Sequence, residues 1–165
     1  MLSFLKKKPQ EDKTEHCLDV LAPCSGRIID ITEVPDDVFA GKMMGDGMAV
    51  WQEKPQVCAP VDGIISMVAD TKHAFGITTP EGLDILVHVG LETVELQGEG
   101  FEQIRQQGEE VKAGDVILSV DLDVMKDKGI EMVVPVLLIP NEEKDTRKTE
   151  ETEAISGETV LFSIA

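Results

Sequence analysis

From Leu21 onward the chain is punctuated every several residues by Gly, Pro and Asp, and between these breaks lie short β-branched runs such as Arg27-Ile-Ile-Asp-Ile31 and Ile64-Ile-Ser-Met-Val68. Gly and Pro interrupt helices, whereas Val and Ile fit a pleated, half-buried surface. This rhythm predicts an all-β domain. An internal echo sharpens the expectation. Ala22-Pro23-Cys-Ser-Gly26-Arg-Ile28 and Ala59-Pro60-Val-Asp-Gly63-Ile-Ile65 share Ala, Pro, Gly and a final Ile at identical offsets, which suggests two related hairpin-like units.

Two segments depart from the pattern. Phe101 to Gln107 is rich in straight-chain helix formers and is followed by Gly108, so it is expected to be one short peripheral helix. Glu142 to Glu153 is rich in Glu, Lys, Thr and Asp, and it reads as a solvated loop between the strands Met132 to Ile139 and Thr159 to Ile164.

A chain of 165 residues suffices for one domain with a real core. Residues 1–18 are expected to form a flexible N-terminal tail and 19–165 the domain. Leu2, Phe4 and Leu5 precede Lys6 to Lys8 with no long apolar run, so this is not a secretory signal; at most it makes peripheral contact with an anionic membrane. Fifteen basic against 32 acidic residues give a net charge of -17, which excludes nucleic acid as a natural partner and favours basic proteins. The cysteines, Cys17, Cys24 and Cys58, form no CxxC pair, so a reducing cytoplasmic location is expected.

The chemistry concentrates in His73-Ala-Phe-Gly-Ile-Thr-Thr-Pro-Glu-Gly-Leu-Asp-Ile-Leu-Val-His88. Two apolar stretches flank Thr79-Pro80-Glu81-Gly82, which has turn chemistry, so a β-hairpin is expected. If the loop is even and centred on Pro80 and Glu81, Thr78 faces Leu83, Phe75 faces Leu86 and His73 faces His88, close enough for the rings to touch. A neutral imidazole is a nucleophile near pH 7, with one nitrogen attacking while the other keeps its proton in an orienting hydrogen bond. Crowding two imidazoles discourages both from being protonated at once. The plainer alternative is a pair of ordinary strand histidines. His16, in the polar N-terminal segment, is assigned to solvated surface.

Several ordered motifs complete the picture: Ala22-Pro23 with Gly26, Pro35-Asp-Asp-Val-Phe39-Ala, Gly45-Asp-Gly47-Met-Ala49, Ala59-Pro60-Val-Asp-Gly63, Thr71-Lys-His73-Ala-Phe75, Val87-His88-Val-Gly90 and Gly98-Glu-Gly100-Phe101. With these, the region from Leu21 to Phe162 resembles the glucose-type IIA phosphocarriers of the bacterial phosphoenolpyruvate-dependent sugar phosphotransferase system. The resemblance implies an antiparallel β-sandwich or barrel-like domain of Greek-key character. It implies a relay in which His88 takes a phosphoryl group from the histidine phosphocarrier protein and gives it to the IIB cysteine of a sugar permease. In that scheme the Gly90 carbonyl holds the His88 Nδ1 proton, His73 stabilises the phosphoryl oxygens and Thr71 orients His73. Val38, Phe39, Met44 and Val87, with Asp36, Asp37 and Glu92, correspond to the partner surface; Glu92 stands where members commonly carry aspartate. No cofactor is implied, although the two histidines could hold an adventitious zinc ion. Some members also inhibit transporters or kinases when unphosphorylated.

Two rival readings come from the residues. Gly108 to Ile117, leading to Met125-Lys126, is similar to the strand-turn-lysine arrangement of biotinyl or lipoyl carriers, with Lys126 as the modified residue. A sandwich-type zinc hydrolase would use His73 and His88 with a carboxylate such as Asp84.

Overall fold

In the computed structural model, residues 17–140 and 144–165 are described. The expected tail, apart from Cys17 and Leu18, lies outside them, as do the apolar and basic N-terminal residues and His16.

The β-branched runs become strands. Among the described residues fourteen are formed: β1 (Leu18–Leu21), β2 (Gly26–Asp30), β3 (Asp46–Gln52), β4 (Gln56–Cys58), β5 (Gly63–Val68), β6 (Ala74–Thr78), β7 (Asp84–His88), β8 (Phe101–Gln103), β9 (Glu110–Val111), β10 (Val116–Val120), β11 (Val133–Leu138), β12 (Thr146–Lys148), β13 (Glu153–Ala154) and β14 (Val160–Ile164). All pairings are antiparallel. An eight-stranded sheet of order β13-β2-β3-β11-β7-β6-β5-β9 is accompanied by two three-stranded sheets, β1-β14-β12 and β4-β10-β8. The non-consecutive neighbours β3, β11 and β7 give the chain path its Greek-key character. Among the described residues two short helices are present, α1 (Asp37–Ala40) and α2 (Leu122–Asp127), together with 3-10 turns at Ile31–Glu33 and Thr93–Leu96.

The echo has a structural meaning. The Leu21 N–H donates to the Pro60 carbonyl at 2.9 Å, and the Cys58 N–H donates to the Pro23 carbonyl at 2.7 Å, a reciprocal pair between the two copies. Each echoed glycine opens a strand where no side chain fits: a Cβ would lie 1.7 Å from the Trp51 carbonyl oxygen at Gly26 and 2.3 Å from that of Thr78 at Gly63.

Strand alternation divides the large sheet into two packed faces. Ile28, Met48, Val50, Val134, Val136, Ile85 and Val87 join the main core between the sheets. The intervening Ile29, Ala49, Val133 and Leu137 form a second cluster with Ile31, Val34, Phe39 and Leu91, covered by residues 31–40. With both faces covered, β11 is buried along its whole length, as its unbroken apolar sequence requires.

Three expectations are corrected. Phe101 to Gln107 is not a helix: Phe101, Glu102 and Gln103 pair with Val120, Ser119 and Leu118 of β10, and the buried Phe101 side chain joins the core. Tertiary pairing there overrides helix propensity. The helices instead lie elsewhere, each begun by an aspartate cap: Asp36 for α1 and Asp121 for α2. The acidic segment is not simply a loop, because β12 pairs with β14 and β13 with β2.

Candidate functional site

The third correction concerns the hairpin on which the histidines sit. Its loop runs from Thr79 to Leu83, an odd number of residues, closed by the Thr79 N–H donating to the Leu83 carbonyl at 2.9 Å and the Leu83 N–H to Thr79 Oγ1 at 3.1 Å. The register is therefore one position away from that expected: Ala74, not His73, faces His88, and Thr78 faces Asp84. The rings nevertheless meet, with centroids 5.0 Å apart at 71°. His73 lies just before β6, after Lys72 in the left-handed conformation at φ 62, so strand alternation does not bind its direction. Its carbonyl accepts from the Val89 N–H at 2.6 Å, which secures the two segments side by side.

His88 closes β7 and has the alternation of Leu86, which places it on the face of the second cluster. There the Phe39 ring meets it edge-on, centroids 5.0 Å apart. The β11–β7 ladder runs from Leu138–Ile85 to Val136–Val87 and stops before Pro135, which has no N–H to continue it towards His88. The chain then turns at Gly90, whose φ of +81 returns its carbonyl towards the imidazole. His88 Nδ1 and the Gly90 oxygen are 2.8 Å apart, so Nδ1 is the protonated nitrogen and Nε2 keeps its lone pair. Thr71 Oγ1 lies 2.5 Å from His73 Nδ1.

Both imidazoles titrate below their ordinary range. Burial lowers His73. Burial also lowers His88, and although the Gly90 hydrogen bond and the Asp36 carboxylate act in the opposite direction, the neighbouring His73 adds to the lowering. Neutral rings near pH 7 are the result, as nucleophilic use requires.

The residues assigned to a partner surface divide. Val38 and Met44 are exposed by 43% and 36%, and Met43 and Val94, which the sequence did not single out, by 74% and 51%. Asp37 and Glu92 are exposed, while Asp36 is half-buried and caps α1, accepting from the Val38 N–H at 2.9 Å. Phe39 is buried against His88. Val87 is fully buried in the main core, so it cannot form a docking surface; alternation turns it away from its neighbour His88. The rival sites do not assemble. Lys126 lies on α2, not at a strand-to-strand turn, and Asp84 is bonded to Thr78 Oγ1 at 2.6 Å at the other end of β7 from His88. Among the described residues no group of three or more His, Cys, Asp and Glu is arranged for a metal ion.

The fold and site define a class: an antiparallel β-sandwich presenting two touching, neutral imidazoles at its surface, one with its tautomer fixed by a backbone carbonyl. Residues 18–144 match the model of the phosphoenolpyruvate-dependent sugar phosphotransferase system, EIIA 1, and the chain belongs to that family. The PTS system glucose-specific EIIA component of Bacillus cereus is 45% identical over 130 residues, 79% of either chain. The PTS system glucose-specific EIICBA component of Staphylococcus carnosus is 43% identical over 119 residues, 72% of this chain and 18% of that one. Among solved structures, glucose permease IIA from Mycoplasma capricolum is similar with a TM-score of 0.81 and 41% identity, covering 88% of this chain and 95% of that one.

Proposed function

We propose that the protein is a phosphohistidine relay in which His88 Nε2 carries the phosphoryl group. The observation that carries this reading is the bond between His88 Nδ1 and the Gly90 carbonyl beside the His73 ring. The Nε2 lone pair attacks the phosphorus of the donor phosphohistidine. The donor's N–P bond breaks, and its electron pair returns to the donor ring. His88 keeps its Nδ1 proton throughout, so no proton need move. In the second step a cysteine thiolate of the acceptor attacks phosphorus in line, and the N–P electrons return to Nε2.

His73 has the helper's role. With the Thr71 hydroxyl donating to Nδ1, the ring's proton sits on Nε2 and can bond a phosphoryl oxygen. The donor is the histidine phosphocarrier protein and the acceptor a IIB cysteine of a sugar permease; the relatives' names favour glucose. The exposed Val38, Met43, Met44 and Val94 give an apolar docking area, and the net charge of -17 suits a basic donor. Phosphoenolpyruvate as the ultimate donor implies action in the cytoplasm; among the described residues no helix is long and apolar enough to cross a membrane.

The test is incubation with phosphoenolpyruvate, the general phosphotransferase enzyme and the histidine phosphocarrier, followed by intact mass under alkaline conditions. Wild type and His73→Gln should each gain one phosphoryl group, with onward transfer slowed in the latter, and His88→Gln should gain none. Wild type that stays unmodified would sink the proposal.

A further inference from the structure

Thr93 follows Glu92 in the turn after β7. Its side chain is fully buried, and its Oγ1 lies 2.8 Å from the Val89 carbonyl oxygen and 3.4 Å from that of Gly90. The hydroxyl proton is therefore shared, mainly towards Val89. Both carbonyls lie next to bonds that serve the histidines: the Gly90 carbonyl itself accepts from His88 Nδ1 at 2.8 Å, and the residue that carries the other carbonyl, Val89, donates its N–H, in the preceding peptide group, to the His73 carbonyl at 2.6 Å. We propose that Thr93 is a positioning residue for phosphoryl transfer, holding the Val89 and Gly90 carbonyls so that His88 keeps its proton on Nδ1 and its lone pair on Nε2. This deepens the relay reading and rests on it.

The turn gives the hydroxyl leverage. Glu92 is held in the left-handed conformation at φ 58 and Gly90 at φ +81, so two consecutive peptide groups depend on local bonds to stay aligned. The Gly90 and Leu91 N–H groups are anchored to the Val133 and Glu131 carbonyls, each at 3.1 Å. On the carbonyl side the only bonds are those from Thr93 and His88, among the described residues. Without the hydroxyl, the Val89 carbonyl is buried without its side-chain partner and rotates to find another. The Gly90 carbonyl moves with it, and the imidazole is released to place its proton on Nε2, which removes the attacking lone pair.

A merely structural hydroxyl, satisfying a carbonyl four residues back, would leave the imidazole unaffected. The discriminating measurement is nitrogen NMR of the His88 ring, above both imidazole pKa values, in wild type, Thr93→Val and Thr93→Ser, alongside the initial rate of phosphorylation by the histidine phosphocarrier. Wild type and Thr93→Ser should show the Nδ1–H form, and Thr93→Val a mixture with a rate about tenfold lower, the effect of one hydrogen bond. A Thr93→Val protein with the wild-type ring spectrum and rate overturns the proposal. In wild type the Thr93 hydroxyl proton should itself be visible and slow to exchange; a rapidly exchanging hydroxyl overturns it even if the valine variant does not fold. Failure of the relay reading is distinguished by wild type that takes no phosphate at all.

Discussion

Gly90 combines a φ of +81 with a crowded Cα: an added Cβ would sit 2.7 Å from Thr93 Cγ2 and 2.9 Å from Met132 Sδ. The left-handed backbone alone is strained for an L side chain, and the thioether and methyl would have to move as well. Gly90→Ala is expected to lower stability by about 2 kcal/mol. Because the same peptide supplies the carbonyl for His88, the initial phosphorylation rate should fall with it. Gly82 is the control. At φ +88 it has nothing within 4 Å of the added Cβ, so Gly82→Ala should cost about 1 kcal/mol and leave the rate unchanged. Thermal melts and initial rates on the two variants decide the matter; equal losses of both quantities would show that Gly90 acts through general stability alone.

Among the elements, β12 is fastened to the large sheet by one side chain. Lys148 Nζ lies 2.7 Å from Asp30 Oδ1 and 2.7 Å from Asp46 Oδ1, linking β12 to the ends of β2 and β3. Burial works against the charge on Asp30, but the Lys148 and Thr32 hydrogen bonds more than offset it and bring the carboxyl down to about 2. Partial exposure screens the gain, so Lys148→Met should lower stability by about 1 kcal/mol in urea unfolding near neutral pH. Much of that loss comes from leaving Asp30 and Asp46 facing each other, and Lys148→Met with Asp30→Asn should recover part of it. An unmoved urea midpoint in the single variant would show the pair to be fully screened. Nothing in the polar sequence around Lys148 announces this strand, because its pairing with β14 and its ion pairs are partners far away in the chain. The β-branched runs were legible because alternation and turn residues are local, and the echo located both glycines that later proved to open strands. The hairpin was legible as a hairpin, but its register was not: loop parity depends on whether Leu83 closes the loop or starts the strand, and composition does not decide between these. That the two histidines lie side by side was legible, but not how: the rings meet although Ala74, not His73, faces His88. Thr93 carries no sequence signal, since only burial beside two particular carbonyls distinguishes it from any other threonine.

At the scale of the whole molecule, acidification sets two effects against each other. Protonating carboxylates relieves the self-repulsion of a chain with net charge -17, which favours the compact state. The His73 and His88 imidazoles, held below their ordinary value chiefly by burial, act in the other direction. The unfolded chain takes up protons on these rings at about pH 6.5 while the folded chain does not, so their contribution to stability is full above that value and is lost as pH falls through the folded pKa values. Between about pH 6.5 and 5.5 few carboxylates have begun to titrate, so the histidines govern the slope and the melting temperature should decline. Replacing both with Gln should flatten this window, at constant ionic strength, while leaving the steeper loss at lower pH. That later loss includes Asp30, whose contribution is present above its ordinary 3.8 and disappears as pH falls towards 2. The same depressed values keep His88 unprotonated and nucleophilic under mildly acidic conditions, so the phosphorylation rate should hold steady at a pH where a free imidazole is already half cationic. A rate that halves near pH 6.5, or an identical melting profile in wild type and the double glutamine variant, would show that the paired rings titrate as ordinary surface histidines.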